Sequence, residues 1–377
     1  MRNNKHRKFI KGVNALPYIL SASHIKLPHK ISQEAVMDFT REMFGSSYKN
    51  IERLLGAFIN GQVESRYFSK DIEWFKADHS FEEKNEIYIE QAVHYGCQAI
   101  VECLGNLDFL KRNIDPGKID AFIFISSTGL ATPTIDARIM NLLPFSEYTK
   151  RIPIWGLGCA GGAAGLSRAY EYCKAFPNAL ALVLCVELCS LTFQKDDVSK
   201  SNIIGTSLFS DGIGCALVCG DEVRRKIFCK QDSMPKILST RSTLMRDSLD
   251  VMGWDVKNGG LHVVFSKDIP RIVKEWLKPN VEAFLTEHNL SLQEVEHFIA
   301  HPGGKKVIQA YEEALGFSQQ KTELSMKILQ EYGNMSSATI LYVLEQFMRN
   351  GAQKGDLGLA AALGPGFSSE LLLMRWE

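Results

Sequence analysis

The 377-residue chain has no surplus of either charge, since 43 lysines and arginines balance 43 aspartates and glutamates. That balance removes any bulk electrostatic case for nucleic acid as a partner. No apolar run approaches the ~18 residues of a membrane-spanning helix, and no secretion signal is visible. The nine cysteines are an odd, scattered set without a CxxC pair. Cys185 and Cys189, like Cys215 and Cys219, stand four residues apart, but in apolar runs that lack histidine. They read as core thiols and not as zinc ligands, so no metal is expected. Such cysteine usage fits a reducing, cytoplasmic setting. The opening MRNNKHRKFIKG is basic and polar. Residues 1–15 read as a flexible tail, with weak attraction to anionic membrane surfaces as the lesser alternative.

What the chain does have is a glycine-rich turn around one cysteine. Hydrophobic residues make up 45% and charged residues 23% of the chain, a balance that suits a globular protein with room for two packed units. The stretch the rest is organised around is RIPIWGLGCAGGAAGLSRAYEYCKAFPNALALVLCVELCSLT, residues 151–192. Ile152 to Trp155 reads as a buried strand. Ala163, Leu166, Ala169, Tyr170 and Cys173 then recur at helical spacing, and Ala179 to Val186 returns as a second buried strand. Cys159 therefore sits at a strand-to-helix turn, where flanking glycines allow a tight backbone and close approach of a ligand. A helix N-terminus contributes roughly 0.3–1 kcal/mol, less than one pKa unit at about 1.36 kcal/mol. The turn alone cannot activate a thiol, so a partner, most naturally a histidine, is expected elsewhere.

Along the rest of the chain, Leu16 to Ser23 reads as a strand and 32–67 as helical. Phe81 to Leu104 reads as a long helix, and Ile119 to Ser126 as a strand ending in Ser127-Thr128-Gly129. Ser210 to Gly214 reads as a turn into the strand Cys215 to Cys219. Residues 221–260 look like an irregular connection between two halves, 1–220 and 221–377. In the second half, the short strand His297 to Ala300 ends in His301-Pro302-Gly303-Gly304 before a helix from Lys305 to Leu315. Tyr332-Gly333-Asn334 opens a further helix, Ala338 to Arg349, and strands 357–363 and 371–375 flank Gly364-Pro365-Gly366-Phe367. The strand–turn–helix–strand pattern thus occurs in both halves, which predicts a duplicated α/β protein with a site between them. Taken together, Cys159, His301 and Asn334 read as a thiolate, an imidazolium partner and a neutral amide donor. The same three residue types serve cysteine proteases, so at this level a condensing enzyme, a thiol hydrolase and a silent binding module all stay open.

The motifs WGLGCAGG at 155–162, SLFSDGIG at 207–214, IAHPGGKKV at 299–307, YGNMSSAT at 332–339 and GPGFSSELLLMRW at 364–376 occur together and in order. In this the sequence resembles the type III polyketide synthases, the chalcone synthase-like family, over nearly its whole length. The resemblance implies a thiolase fold, a duplicated αβαβα layering with two packed five-stranded mixed sheets. It implies a homodimer that uses acyl-CoA and malonyl-CoA as substrates and needs no cofactor. It further implies that Cys159 carries the acyl chain as a thioester, while His301 and Asn334 hold the thioester oxygen of malonyl-CoA. Phe209 matches the aromatic gatekeeper between CoA tunnel and cavity. Val263 falls where the family has a second gatekeeper phenylalanine, and Trp254 where a small residue is common. Thr132, Thr192 and Ser336 fall at other cavity-lining positions. The sequence looks closer to bacterial alkylpyrone-forming members than to plant enzymes, which implies a long-chain fatty acyl starter. A ketosynthase that primes fatty-acid synthesis with an acyl carrier protein is the alternative within the fold, but HPGG argues against it.

Overall fold

A computed structural model describes residues 16–224, 230, 233–350 and 352–377; the tail at 1–15 lies outside the described residues. The described residues form thirteen strands. The first half carries β1 (Tyr18–Ile25), β2 (His29–Ser32), β3 (Ser65–Phe68), β4 (Ala121–Ile125), β5 (Lys150–Ile154), β6 (Leu180–Leu188) and β7 (Asp211–Cys219). The second carries β8 (Pro235–Leu244), β9 (Met252–Lys257), β10 (Gly260–Phe265), β11 (His297–Ala300), β12 (Leu357–Gly364) and β13 (Ser368–Trp376). Nine of them form one mixed sheet in the order β11-β12-β13-β8-β1-β7-β6-β4-β5.

That order contains one pattern twice. In the first half β4 and β6 are parallel, β6 and β7 antiparallel, and β7 and β1 antiparallel. In the second half β11 and β12 are parallel, β12 and β13 antiparallel, and β13 and β8 antiparallel. The two sets meet only where Tyr18 pairs with Lys236. The layered α/β thiolase fold expected from the sequence is what the chain forms, with one correction to the strand count. The second set has four strands and not five. The first half places β5 beside β4, whereas between β11 and β12 the chain is helical: Lys305–Leu315, Gln319–Tyr332 and Thr339–Arg349.

Apolar strands explain the layering. β4, β6, β7 and β12 are buried throughout, which requires a cover on both faces. The helix Gly161–Ala175 packs on β4 and β6 of one set and on β12 and β13 of the other, so it lies between the two sets. The helix Phe81–Leu104 covers β1, β6 and β7 from outside. Val281, Phe284, Ala310 and Tyr311 join the core of the second set beside Leu359, Leu371 and Leu373.

Two sequence readings change. Ser210 to Gly214 is not a turn: β7 already starts at Asp211, because that buried carboxylate accepts from the Ser69 and Ser190 backbone N–H groups at 2.7 and 2.6 Å. The stretch 221–260 is not irregular, since it contains β8 and the hairpin strand β9. β8 is rich in serine and threonine, so it lacks the apolar run that marks the other strands. Among the described residues no helix is long and apolar enough to cross a membrane.

Candidate active site

Gly158 adopts φ +46°, a backbone conformation that side chains disfavour. It starts the single turn Gly158–Ala160 that lifts Cys159 to the beginning of the helix Gly161–Ala175. Four residues on, a Cβ at Gly162 would lie 2.2 Å from the Ser337 carbonyl oxygen. Only glycine lets this helix approach the segment that carries Asn334.

Asn334 is fixed by main chain and side chain together. Its N–H donates to the Leu208 carbonyl at 2.9 Å, and its own carbonyl accepts from Ser210 N–H at 2.9 Å. This bridge pairs it with Phe209. The side-chain Oδ1 accepts from Ser336 N–H at 2.8 Å, which turns Nδ2 towards the Gly303 carbonyl at 3.2 Å. The same Oδ1 stands 4.0 Å from Cys159 Sγ, a thiol hydrogen-bond distance. Ser336 achieves this with φ +49°, a conformation few non-glycine residues adopt. His301 continues β11, with its N–H on the Ala361 carbonyl at 2.8 Å, and its own carbonyl accepts from Gly303 N–H at 3.0 Å. The loop bearing His301 therefore reaches the Asn334 amide directly.

Electrostatically the site is dry. Cys159 and His301 are 6% and 1% exposed. Burial pushes the Cys159 thiol up to about 12, with weaker opposing help from Ser336 and Asn334. It also pulls the His301 imidazole down to about 3. Both His301 ring nitrogens are buried without a hydrogen-bond partner. The imidazolium that sequence reasoning placed beside a thiolate is thus a neutral ring with free nitrogens in this arrangement. The cause is desolvation of both groups.

The cavity residues divide. Phe209, Thr192 and Val263 line one apolar cavity together with Cys189 and Gly205. Ser336 is buried in the Asn334 turn. Trp254 and Val263 are cross-strand partners on the β9–β10 hairpin, and the Trp254 ring lies 6.1 Å from that of Phe209. Thr132 is exposed in the single chain, beside the cis bond to Pro133, and is not among the residues that line the cavity with Phe209.

Three residues with evident positioning roles were not singled out from sequence. Phe265 stacks on Phe209 at 5.5 Å, so an aromatic partner for Phe209 is kept two residues beyond Val263. Arg66, fully buried, donates to the carbonyls of Thr206, Ser207 and Phe209 at 2.7, 2.7 and 3.1 Å. It thereby satisfies a helix C-terminus and fixes the Phe209 backbone. Glu187 lies behind the cysteine turn and accepts from Ser127 N–H, Thr128 Oγ1 and Ser337 Oγ at 3.0, 2.9 and 2.5 Å. Burial raises its carboxyl to about 7. A lone acid inside the apolar run LALVLCVEL was the available signal; nothing in the local sequence marks Arg66.

A buried thiol 4.0 Å from an amide oxygen, with a neutral imidazole carried by the loop that the same amide contacts, in a duplicated layered fold, suits the chemistry of thiolase-like condensing enzymes. The models for chalcone and stilbene synthases match at residues 73–222, the N-terminal domain, and 236–376, the C-terminal domain. The chain belongs to this family, the type III polyketide synthases, acyltransferases that condense CoA thioesters with loss of carbon dioxide. It is 55% identical over 363 residues to a Bacillus subtilis (strain 168) protein named "Putative chalcone synthase", covering 96% of this chain and 99% of the relative. It is 32% identical over 359 residues to a 1,3,6,8-tetrahydroxynaphthalene synthase of Streptomyces peucetius subsp. caesius, covering 95% and 93%. The solved 1,3,6,8-tetrahydroxynaphthalene synthase of Streptomyces coelicolor A3(2) superposes with a TM-score of 0.88 at 27% identity, covering 96% of this chain and 99% of that one.

Proposed function

We propose that this enzyme loads a long-chain fatty acyl-CoA starter on Cys159, extends it with malonyl-CoA, and cyclises the product to an alkylpyrone or alkylresorcinol. The observation that carries the starter class is the cavity bounded by Phe209 and Val263. Its lining holds five phenylalanines and no charged side chain. Each methylene buried there contributes about 0.8 kcal/mol.

In this reading the Cys159 thiol passes its proton to His301 as sulfur attacks the acyl-CoA carbonyl, and the CoA thiolate leaves with that proton. Malonyl-CoA then binds with its thioester oxygen between His301 and Asn334 Nδ2. Loss of carbon dioxide leaves an enolate whose charge these two donors stabilise. The enolate carbon attacks the Cys159 thioester, and the lengthened chain departs on CoA. An amide donor does not titrate, and a neutral imidazole can both donate and accept.

The two halves, 1–220 and 221–377, act together in this scheme, one supplying the nucleophile and the other the enolate donors. Their repeated strand pattern supports that division. A homodimer fits the free edge of β5, which ends the sheet and is flanked by Tyr148 and Trp155, 79% and 50% exposed. The thiols of Cys97, Cys103, Cys159, Cys173, Cys185, Cys189 and Cys215 are unbridged, in keeping with the reducing cytoplasm.

The test of the starter is product formation from malonyl-CoA with acetyl-, benzoyl-, hexanoyl-, dodecanoyl- and stearoyl-CoA, with products identified by mass spectrometry. A preference for the fatty starters supports the reading, and a preference for acetyl, malonyl or benzoyl overturns it.

A further inference from the structure

We propose that His262 is a positioning residue for the ring cluster around Phe209: paired with Asp197, it pins the β9–β10 hairpin from its outer face, and more firmly when protonated. This rests on the reading above that the chain is carried on Cys159, beside that cluster.

Among the described residues β9 and β10 pair with each other and with no strand of the nine-stranded sheet. Their base is closed by the Ser266 N–H, which donates to the Val251 carbonyl at 2.8 Å. A two-stranded hairpin is marginal by itself in water, so its position depends on what it packs against. Side chains alternate between the two faces of a strand. One face of β10 presents Leu261, Val263 and Phe265. Leu261 is buried, Val263 lines the cavity with Phe209, and Phe265 stacks on the Phe209 ring. Trp254, opposite Val263, brings its ring to the same side. Phe209 in turn pairs through its backbone with Asn334, beside Cys159. His262 falls on the other face of β10.

His262 Nδ1 lies 3.4 Å from Asp197 Oδ2, and Gln194 Nε2 donates to the Leu261 carbonyl at 3.2 Å. The segment 194–197 that supplies both groups is itself anchored. Asn202 Nδ2 donates to the carbonyls of Gln194 and Asp197 at 2.8 and 2.7 Å, and Asp197 Oδ1 accepts from Ser199 N–H at 2.8 Å. Burial works against the Asp197 charge, but the donors from Ser199 and His262 outweigh it and hold this carboxyl below its usual range. Asp197 therefore stays ionised, and His262 sets the strength of the pair. A gap of 3.4 Å is long for a neutral hydrogen bond, whereas an imidazolium is attracted across it.

Other charges share this side. Asp255 stands opposite His262 on β9, and Asp78, His79, Lys84, Lys195, Asp196 and Lys257 line the same cleft. Lys195 is taken up by Asp78 at 2.7 Å and His79 by Glu83 at 2.8 Å. Asp197 is the acid that His262 reaches.

The measurement is access to Cys159, read as the ratio of its alkylation rates by a bulky, fluorophore-bearing iodoacetamide and by iodoacetamide itself, mapped by peptide mass. The reactive group is the same in both, so ionisation of the thiol, and the influence of Glu187 on it, cancel in the ratio. Between pH 5 and 8, where histidine side chains exchange their proton, the wild-type ratio should rise about two- to fivefold with pH, the worth of a partly exposed ion pair. His262→Gln and Asp197→Asn should give a high ratio that does not change with pH. His262→Arg, charged throughout, should give a low ratio that does not change either, and it reads the clamp if Asp197→Asn fails to fold. A wild-type ratio flat with pH, or a His262→Gln ratio equal to that of wild type at pH 5, overturns the clamp. The ratio uses no acyl-CoA and so decides the clamp separately. An acyl group from dodecanoyl-CoA found on a residue other than Cys159 overturns the carrier reading instead.

Discussion

Cys159 and His301 have opposite needs met by one environment. Burial makes the thiol hard to ionise and the imidazole hard to protonate, so each is idle until a proton passes between them. An ion pair formed in the same dry site recovers part of both desolvation costs through mutual attraction. Replacing His301 by Ala removes the proton acceptor. Alkylation of Cys159 by iodoacetamide should slow by about tenfold or more at pH 7 and much less at pH 10, where solvent base suffices. Equal rates in the two proteins at pH 7 would show that His301 does not activate the thiol. On the proposed mechanism Asn334→Ala removes one of two enolate donors, and malonyl-CoA decarboxylation should fall by roughly 10²–10³. A wild-type rate would leave Asn334 with its visible structural task, the turn to Ser336 and the bridge to Phe209. These three side chains stood out in the sequence because each stands beside glycines at a strand end or helix start, whereas the direction in which the Thr132 loop leaves its strand is set only by the fold.

At the scale of single elements, long apolar segments were read closely. The helix Phe81–Leu104 and the strand His297–Ala300 have the bounds expected of them. β8 was missed because its stability comes from β13, distant in sequence, and the β9–β10 hairpin because β9 is largely polar and exposed and so carries no apolar run. Val263 on that hairpin lines the apolar cavity beside Gly205 and Phe209, and on the proposed function Val263→Phe should shift the starter optimum towards shorter chains. An unchanged chain-length profile would mean that the hairpin does not wall the acyl space. β6 carries Glu187, whose folded pKa of about 7 exceeds its ordinary 4.5. Protons therefore favour the fold: the contribution is complete below about pH 4.5 and is lost as pH rises through about 7. At roughly 1.4 kcal/mol per pKa unit, the loss over these pKa values is on the order of 3–4 kcal/mol. Thermal unfolding of Glu187→Gln from pH 4.5 to 7.5 should fall less with pH than that of wild type. Parallel curves would show that Glu187 is ionised in the native protein throughout. Buried Asp211, raised to about 6, acts in the same direction in both proteins.

For the whole molecule, duplication is the organising fact. The sequence showed it as two strand–turn–helix–strand runs, and the sheet shows it as one strand order repeated with a single strand missing. The helix that starts after Cys159 lies between the two strand sets, and the motifs carrying His301 and Asn334 come from the other half. The site therefore exists only when both halves are packed. What sequence could not show is the apolar cavity beside Phe209, because Phe39, Phe68, Phe75 and Phe193 come from four separate segments that only the fold brings together. The claim that stands at the centre is that Cys159 carries the chain while malonyl-CoA is decarboxylated against His301 and Asn334. The most direct measurement is intact-protein mass after mixing with dodecanoyl-CoA, followed by addition of malonyl-CoA. The account predicts a single acyl adduct, mapped to Cys159 and absent from Cys159→Ala, which malonyl-CoA discharges as an extended product with release of carbon dioxide. An adduct on another residue, or extended product formed by Cys159→Ala, would contradict it.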